Sequence, residues 1–161
     1  MNDTYESEIG ALLAELADVQ SGLLDVLGEK RKLIVAGNVE ALSAMAGREQ
    51  ELADRLQACH DRRQQLLARA DAEGLPADSI ESLSGRLPDS SRKRVQASIR
   101  EAAGRMQLLR NESLTNWVVV QRTLLHLAQM LEIIATGGQI QPTYGGREAP
   151  RAGGALVDRA A

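Results

Sequence analysis

Apolar residues recur along the first part of the chain at alternating spacings of three and four. They are Ile9, Leu12, Leu16, Val19, Leu23, Val26 and Leu33, with Lys30 the one polar residue in that register and Leu13, Leu27 and Ile34 widening the stripe. That spacing is the heptad signature of a helix that packs along other helices. Thr4 with Glu8, or Asp3 with Glu6, are candidate caps for its start. Gly37-Asn38 stops it, because both residues accept the left-handed backbone that ends helices. Asn38 doubles as a candidate N-cap for a second helix with the register Leu42, Met45, Glu49, Leu52, Leu56, Cys59, Arg63, Leu66 and Ala70. So short a break predicts an antiparallel hairpin, or a kink in one continuous rod. Each helix is then about 50 Å long at 1.5 Å per residue.

Gly74-Leu75-Pro76 ends the second helix, and a short amphipathic stretch around Ser79-Ile80-Glu81-Ser82-Leu83 follows, with Ser79 a candidate cap. Asp89 or Ser90 is the candidate cap of a third helix reaching Thr136, roughly 70 Å in length. Its early register is Val95, Ile99, Ala102, Met106 and Leu109; Ser113 and Asn116 then interrupt the line, as a bend or a change of packing partner would require. From Gly137 onward the chain holds six of its 14 glycines and two of its four prolines. Such a stretch loses too much entropy on ordering and buries too little to fold alone. The reading is therefore all-α: an elongated antiparallel helical hairpin or three-helix coiled-coil bundle with a flexible C-terminal tail. Residues 1–136 form the helical domain, with helices at about 3–36, 39–73 and 89–136, and residues 137–161 the tail.

Composition supports helix. Aromatic content is 2% with no Phe, which disfavours a β-sandwich or barrel. A net charge of −3 gives no electrostatic reason to expect nucleic acid, and the basic run Arg92-Lys93-Arg94 has no aromatic residues interleaved for base stacking. The opening residues are polar and acidic, unlike a signal peptide, and the single cysteine forms no intrachain disulfide; both fit a cytoplasmic chain. The apolar stretch Leu114–Ala135 nearly reaches membrane-span length, but Gln121, Arg122, His126, Gln129 and Glu132 interrupt it, so no stable membrane insertion is expected.

Nothing in the side-chain inventory points to catalysis. Cys59-His60 and a distant His126 do not make a zinc site, which needs three or four ligands, and neither a metal nor a cofactor is expected. Cys59 fits the stripe as a small buried hydrophobe. A phosphotransfer role for His60 suits a helical bundle, although Asp61-Arg62-Arg63 follows it in place of the Lys-Gly context such domains use. Glu49 and Arg63 occupy core-type positions, where they pair across the hairpin and set its register or snorkel from a loose interface.

The third helix carries more apolar surface than a two-helix hairpin covers. Leu114, Trp117, Val118, Val119, Val120, Leu124, Leu125, Leu127, Met130, Leu131, Ile133 and Ile134 spread well beyond one stripe. Either this is the buried central helix of a three-helix bundle, or it meets a partner: a client, or a second copy of the chain in a homodimer.

The Leu-rich first helix leads to Glu29-Lys30, then Gly37-Asn38-Val39-Glu40-Ala41-Leu42, Glu51-Leu52, Arg63-Gln64-Gln65-Leu66-Leu67, the late helix from Asn116 to Ile134, and Tyr144-Gly145-Gly146 in a Gly-rich segment. In that order and spacing the chain resembles the FlgN family of flagellar export chaperones over nearly its whole length. The resemblance implies a cytoplasmic, non-enzymatic chaperone of the flagellar type III secretion system. It also implies clients of the hook-associated FlgK and FlgL type, bound by their C-terminal helical segments, kept from premature assembly and delivered to the export gate. Trp117, Val120, Leu124, Leu127, Leu131 and Ile134 are the expected client-facing residues, with core packing the alternative for each. Tyr144 is the expected contact with the export-gate protein of the FlhA type.

Overall fold

The structure, a computed structural model, describes residues 2–136. It is all-α: α1 is Asn2–Ala36, α2 Val39–Ala44, α3 Ala46–Ala72, α4 Ile80–Ser84 and α5 Asp89–Thr136. The chain divides into two compact units, Met1–Leu124 and Leu125–Ala161. Of the second, the described residues are the C-terminal turns of α5.

Local chemistry sets most of the helix ends. Gly37 (φ 66°) and Gly74 (φ 72°) take the left-handed conformation after α1 and α3. At each, the chain folds back with paired bonds: Asn38 N–H to Leu33 O (3.0 Å) and Gly37 N–H to Ile34 O (3.1 Å), then Leu75 N–H to Ala70 O and Gly74 N–H to Asp71 O (both 2.9 Å). Asn38 caps α2 by accepting from Ala41 N–H at 3.0 Å, and Ser79 caps α4 by accepting from Ser82 N–H at 3.0 Å. Three expectations need correction. The first helix begins at Asn2, so Asp3 and Thr4 lie inside it. The second is interrupted at Met45, just before the helix-weakening Gly47. Helix α5 starts at Asp89 itself, its first turn closed by Arg92 N–H to Pro88 O at 2.8 Å, while the Asp89 carboxylate accepts from the Arg92 side chain.

Within the first unit, three helices pack through seams spaced by seven residues. These are Tyr5, Leu12, Val19 and Val26 on α1, Leu52, Cys59 and Leu66 on α3, and Val95, Ala102, Leu109 and Asn116 on α5, all buried. Ion pairs show the directions. Glu8–Arg69, Glu15–Arg55, Glu29–Arg48 and Lys30–Glu49 run antiparallel between α1 and α3. Glu6–Arg94 and Arg31–Glu112 run parallel between α1 and α5. Ile80, Leu83 and Leu87, from α4 and the turn after it, join Tyr5, Ile9, Leu66, Ala70 and Val95 in the same core.

Helix α1 is thus the central one, packed on both sides, and the hairpin does not simply cover itself. Gln20 reports this. It is 1% exposed, its Nε2 donates to Ala102 O on α5 at 3.0 Å, and its Oε1 accepts from Arg105 Nε at 3.0 Å. A buried amide with both ends satisfied stabilises one register of α1 against α5, since a slip would leave it unpaired. Two of the three charged entries in the hairpin stripes pair with each other: Lys30 Nζ reaches Glu49 Oε1 at 2.6 Å and Oε2 at 2.9 Å, while Arg63 is exposed.

Candidate functional site

On α5 the buried seam ends at Asn116, whose Nδ2 donates to Leu27 O at 2.9 Å while its Oδ1 is buried without a partner. After Asn116 no described side chain is buried. Val119 and Val120 are half-buried, and every residue from Gln121 to Ala135 is exposed. Of the expected contact residues, Trp117, Leu124 and Leu131 are 61%, 55% and 66% exposed, and Leu127 and Ile134 are exposed as well. With Val120 they share one face of the helix by their spacing of three and four. The exposed apolar surface is not confined to that face, because Val118, Leu125, Met130 and Ile133 are exposed too. Among the described residues of the first unit, it is α1 that packs on both sides. Tyr144 lies outside the described residues.

A second apolar feature was not singled out from the sequence. Between α3 and α5, floored by α1, two adjoining hollows share Leu56 and Met106. One of about 580 Å³ is lined by Leu12, Leu16, Cys59, Arg63, Ile99 and Met106 among others. The other, of about 610 Å³, is lined by Leu23, Leu27, Glu49, Leu109, Arg110 and Leu114 among others. Its signal was present in the heptads: Arg63 and Met106 sit at core-type positions yet are exposed, as residues on the lip of an open groove are.

Burial pushes the Cys59 thiol up from its ordinary range, opposite to what a nucleophile needs. His60 shares a hydrogen bond of 2.9 Å with Gln64 one turn on. Among the described residues no group of three His, Cys, Asp or Glu side chains is placed to hold a metal ion.

Compared with known families, residues 1–151 match the family described as FlgN protein. The chain belongs to the FlgN family. FlgN proteins are non-enzymatic flagellar export chaperones, which bind flagellar proteins, and they are soluble. No curated protein and no solved structure matches the chain. Among the described residues one helix, α5, is long and apolar enough by length and composition to cross a membrane, and none of its apolar window is buried. Arg122, His126 and Glu132 interrupt that stretch, and each would be costly in lipid.

Proposed function

We propose that this chain is a cytoplasmic export chaperone for hook-associated proteins of the FlgK and FlgL type. It holds their C-terminal helical segments, prevents premature assembly and delivers them to the export gate. Residues 1–136 act as the chaperone domain, and residues 137–161 act as a tail in which Tyr144 contacts the gate protein of the FlhA type. The observation that carries the reading is the exposed apolar run from Leu114 to Ile134. A segment destined to assemble as an amphipathic helix exposes an apolar stripe, and a helix laid along such a surface shields both. Covering Trp117, Val120, Leu124, Leu127, Leu131 and Ile134 is worth about 1.5–3 kcal/mol for each side chain fully buried, enough to hold a client after the costs of ordering it. A tail aromatic burying about 150–250 Å² in a shallow pocket gives the weak, reversible contact that handover needs.

Pull-down with C-terminal segments of hook-associated proteins should return a complex of defined stoichiometry; failure with all of them would sink the proposal. Deleting 137–161 should spare client binding and weaken gate binding. The same exposed surface favours a second reading, a structural homodimer closed through α5. A tight dimer in sedimentation with no client affinity would select it.

A further inference from the structure

We propose that the groove between α3 and α5 receives one helix of an export client, and that this helix carries carboxylates along the edges of its apolar stripe. The inference rests on the chaperone reading for the source of the helix and adds a second contact surface and a chemical class of segment. From Ile99 to Leu114 the groove runs about four turns, some 22 Å of helix axis. Each hollow is within the range of about 300–1,000 Å³ that accommodates a sizeable ligand group. Floor and walls are aliphatic: Leu16, Leu23, Leu56, Met106 and Leu109 present the ridges into which anchors at i, i+3 or i+4 and i+7 fit.

The polar edge is unbalanced, and that imbalance selects the occupant. Arg63 on the α3 wall and Arg110 on the α5 wall line the groove, are exposed, and form no ion pair among the described residues. The one lining carboxylate, Glu49, has both oxygens on Lys30. An incoming helix therefore meets two unneutralised guanidinium groups, on opposite walls and towards opposite ends, each able to grip a carboxylate in a fork. A second copy's distal α5 fits poorly, since residues 117–135 offer one acid, Glu132, against Arg122. Residues 137–161 fit no better, with three arginines against two acids.

The test uses the full chain and two labelled synthetic peptides about four turns long, identical in their Leu/Ala stripe, one edged with Glu and one with Lys. At low salt the Glu peptide should bind about tenfold more tightly, as two exposed ion pairs allow. High salt should erase the preference, and the double variant Arg63→Glu with Arg110→Glu should reverse it. Both arginines are exposed, so this variant should melt like the wild type; should it fail to fold, Arg63→Gln with Arg110→Gln replaces it and should abolish the preference. Equal affinity for the two peptides, no binding of the Glu peptide, or a preference untouched by the double variant overturns the groove proposal. A double variant that alters self-association without altering peptide binding makes the groove an interface between copies, and also overturns it. If C-terminal segments of hook-associated proteins bind with no sensitivity to the double variant, the groove is not their site while the chaperone reading stands. If they do not bind at all but the Glu peptide does, the chaperone reading falls and the charge-selective groove remains.

Discussion

Val95, Ala102, Leu109 and Asn116 lie at intervals of seven along the first half of α5, and each is buried. Trp117, Leu124 and Leu131 lie at the same interval along its second half, and each is more than half exposed. Residue type does not explain the difference, because the exposed series is the more hydrophobic. What differs is the supply of neighbours. Contacts with α1 run along the first half from Glu6–Arg94 to Leu27–Asn116, whereas α1 ends at Ala36 and among the described residues no side chain after Asn116 is buried. A heptad repeat thus states that a surface wants a partner helix; it does not state that the same chain provides one. The proposed client site is that unfilled half, and the proposal rests on this difference.

The widest separation between the halves should come from paired truncations. Leu109→Ala removes buried methyl groups against the α1 floor and should cost about 2–5 kcal/mol of unfolding free energy. Leu124→Ala and Leu131→Ala should change stability by no more than about 0.5 kcal/mol, as exposed positions do. Denaturant unfolding measures both. Equal losses at Leu109 and Leu131 would mean that the second half is covered in solution, by a second copy if the loss depends on concentration.

Asn116 marks the change, and its removal should have the next largest effect. Asn116→Ala loses the bond from Nδ2 to Leu27 O and should cost about 1 kcal/mol. Asn116→Leu should cost less, or nothing, since leucine keeps the volume that alanine gives up while both remove the buried Oδ1 that has no partner. If both variants match the wild type in thermal melts, the seam does not depend on this residue and its end lies nearer Leu109.

Features of the fold that depend on a few adjacent residues were legible in the sequence. Gly37, Gly74, Asn38 and Ser79 act through their own backbone freedom or side-chain oxygens, and no distant element is needed to interpret them. Features that depend on how many neighbours a helix has were not. A stripe at spacings of three and four marks one face of α1, but α1 is packed on two, so Gln20 gave no sign that it is buried. The apolar excess of distal α5 was visible, while its exposure was not, because an all-round apolar helix reads the same in a core and on a surface. The α3–α5 groove was hidden for a related reason: it is a gap between helices distant in sequence, betrayed only by Arg63 and Met106 at positions that a closed seam would fill with aliphatics.

Helix propensity should distinguish open from packed faces more gently. Gly104, in the first half of α5, has open space where a Cβ would stand, whereas a Cβ on Gly22 would come within 2.9 Å of Leu52 Cδ2 on α3. Gly104→Ala should therefore stabilise by about 0.5–1 kcal/mol. Gly22→Ala should gain less, because Leu52 must shift to admit the methyl group. Equal gains in melting temperature would show that Leu52 moves aside for the added methyl group at no cost.

The smallest effect concerns the end of the bundle where Glu8 of α1 pairs with Arg69 of α3. Hydrogen bonds from the Arg69 guanidinium, at 3.1 Å from Nη1 to Oε1, hold the Glu8 carboxyl below its usual range, with burial opposing them. A carboxyl whose folded-state pKa is depressed contributes stability that is present above its unfolded value of about 4.3 and is lost as pH falls through the folded value. Arg69→Gln removes that contribution, so wild type and variant should differ most at neutral pH and converge as pH falls below about 4. Convergence should be incomplete. Arg69 also stacks over the Tyr5 ring, 4.8 Å from its centroid, and a guanidinium keeps its charge in acid. Because the pair is partly solvated the acid-dependent part should be modest. Urea midpoints at neutral pH and at about pH 3 measure it, and a difference independent of pH would assign the whole role of Arg69 to Tyr5.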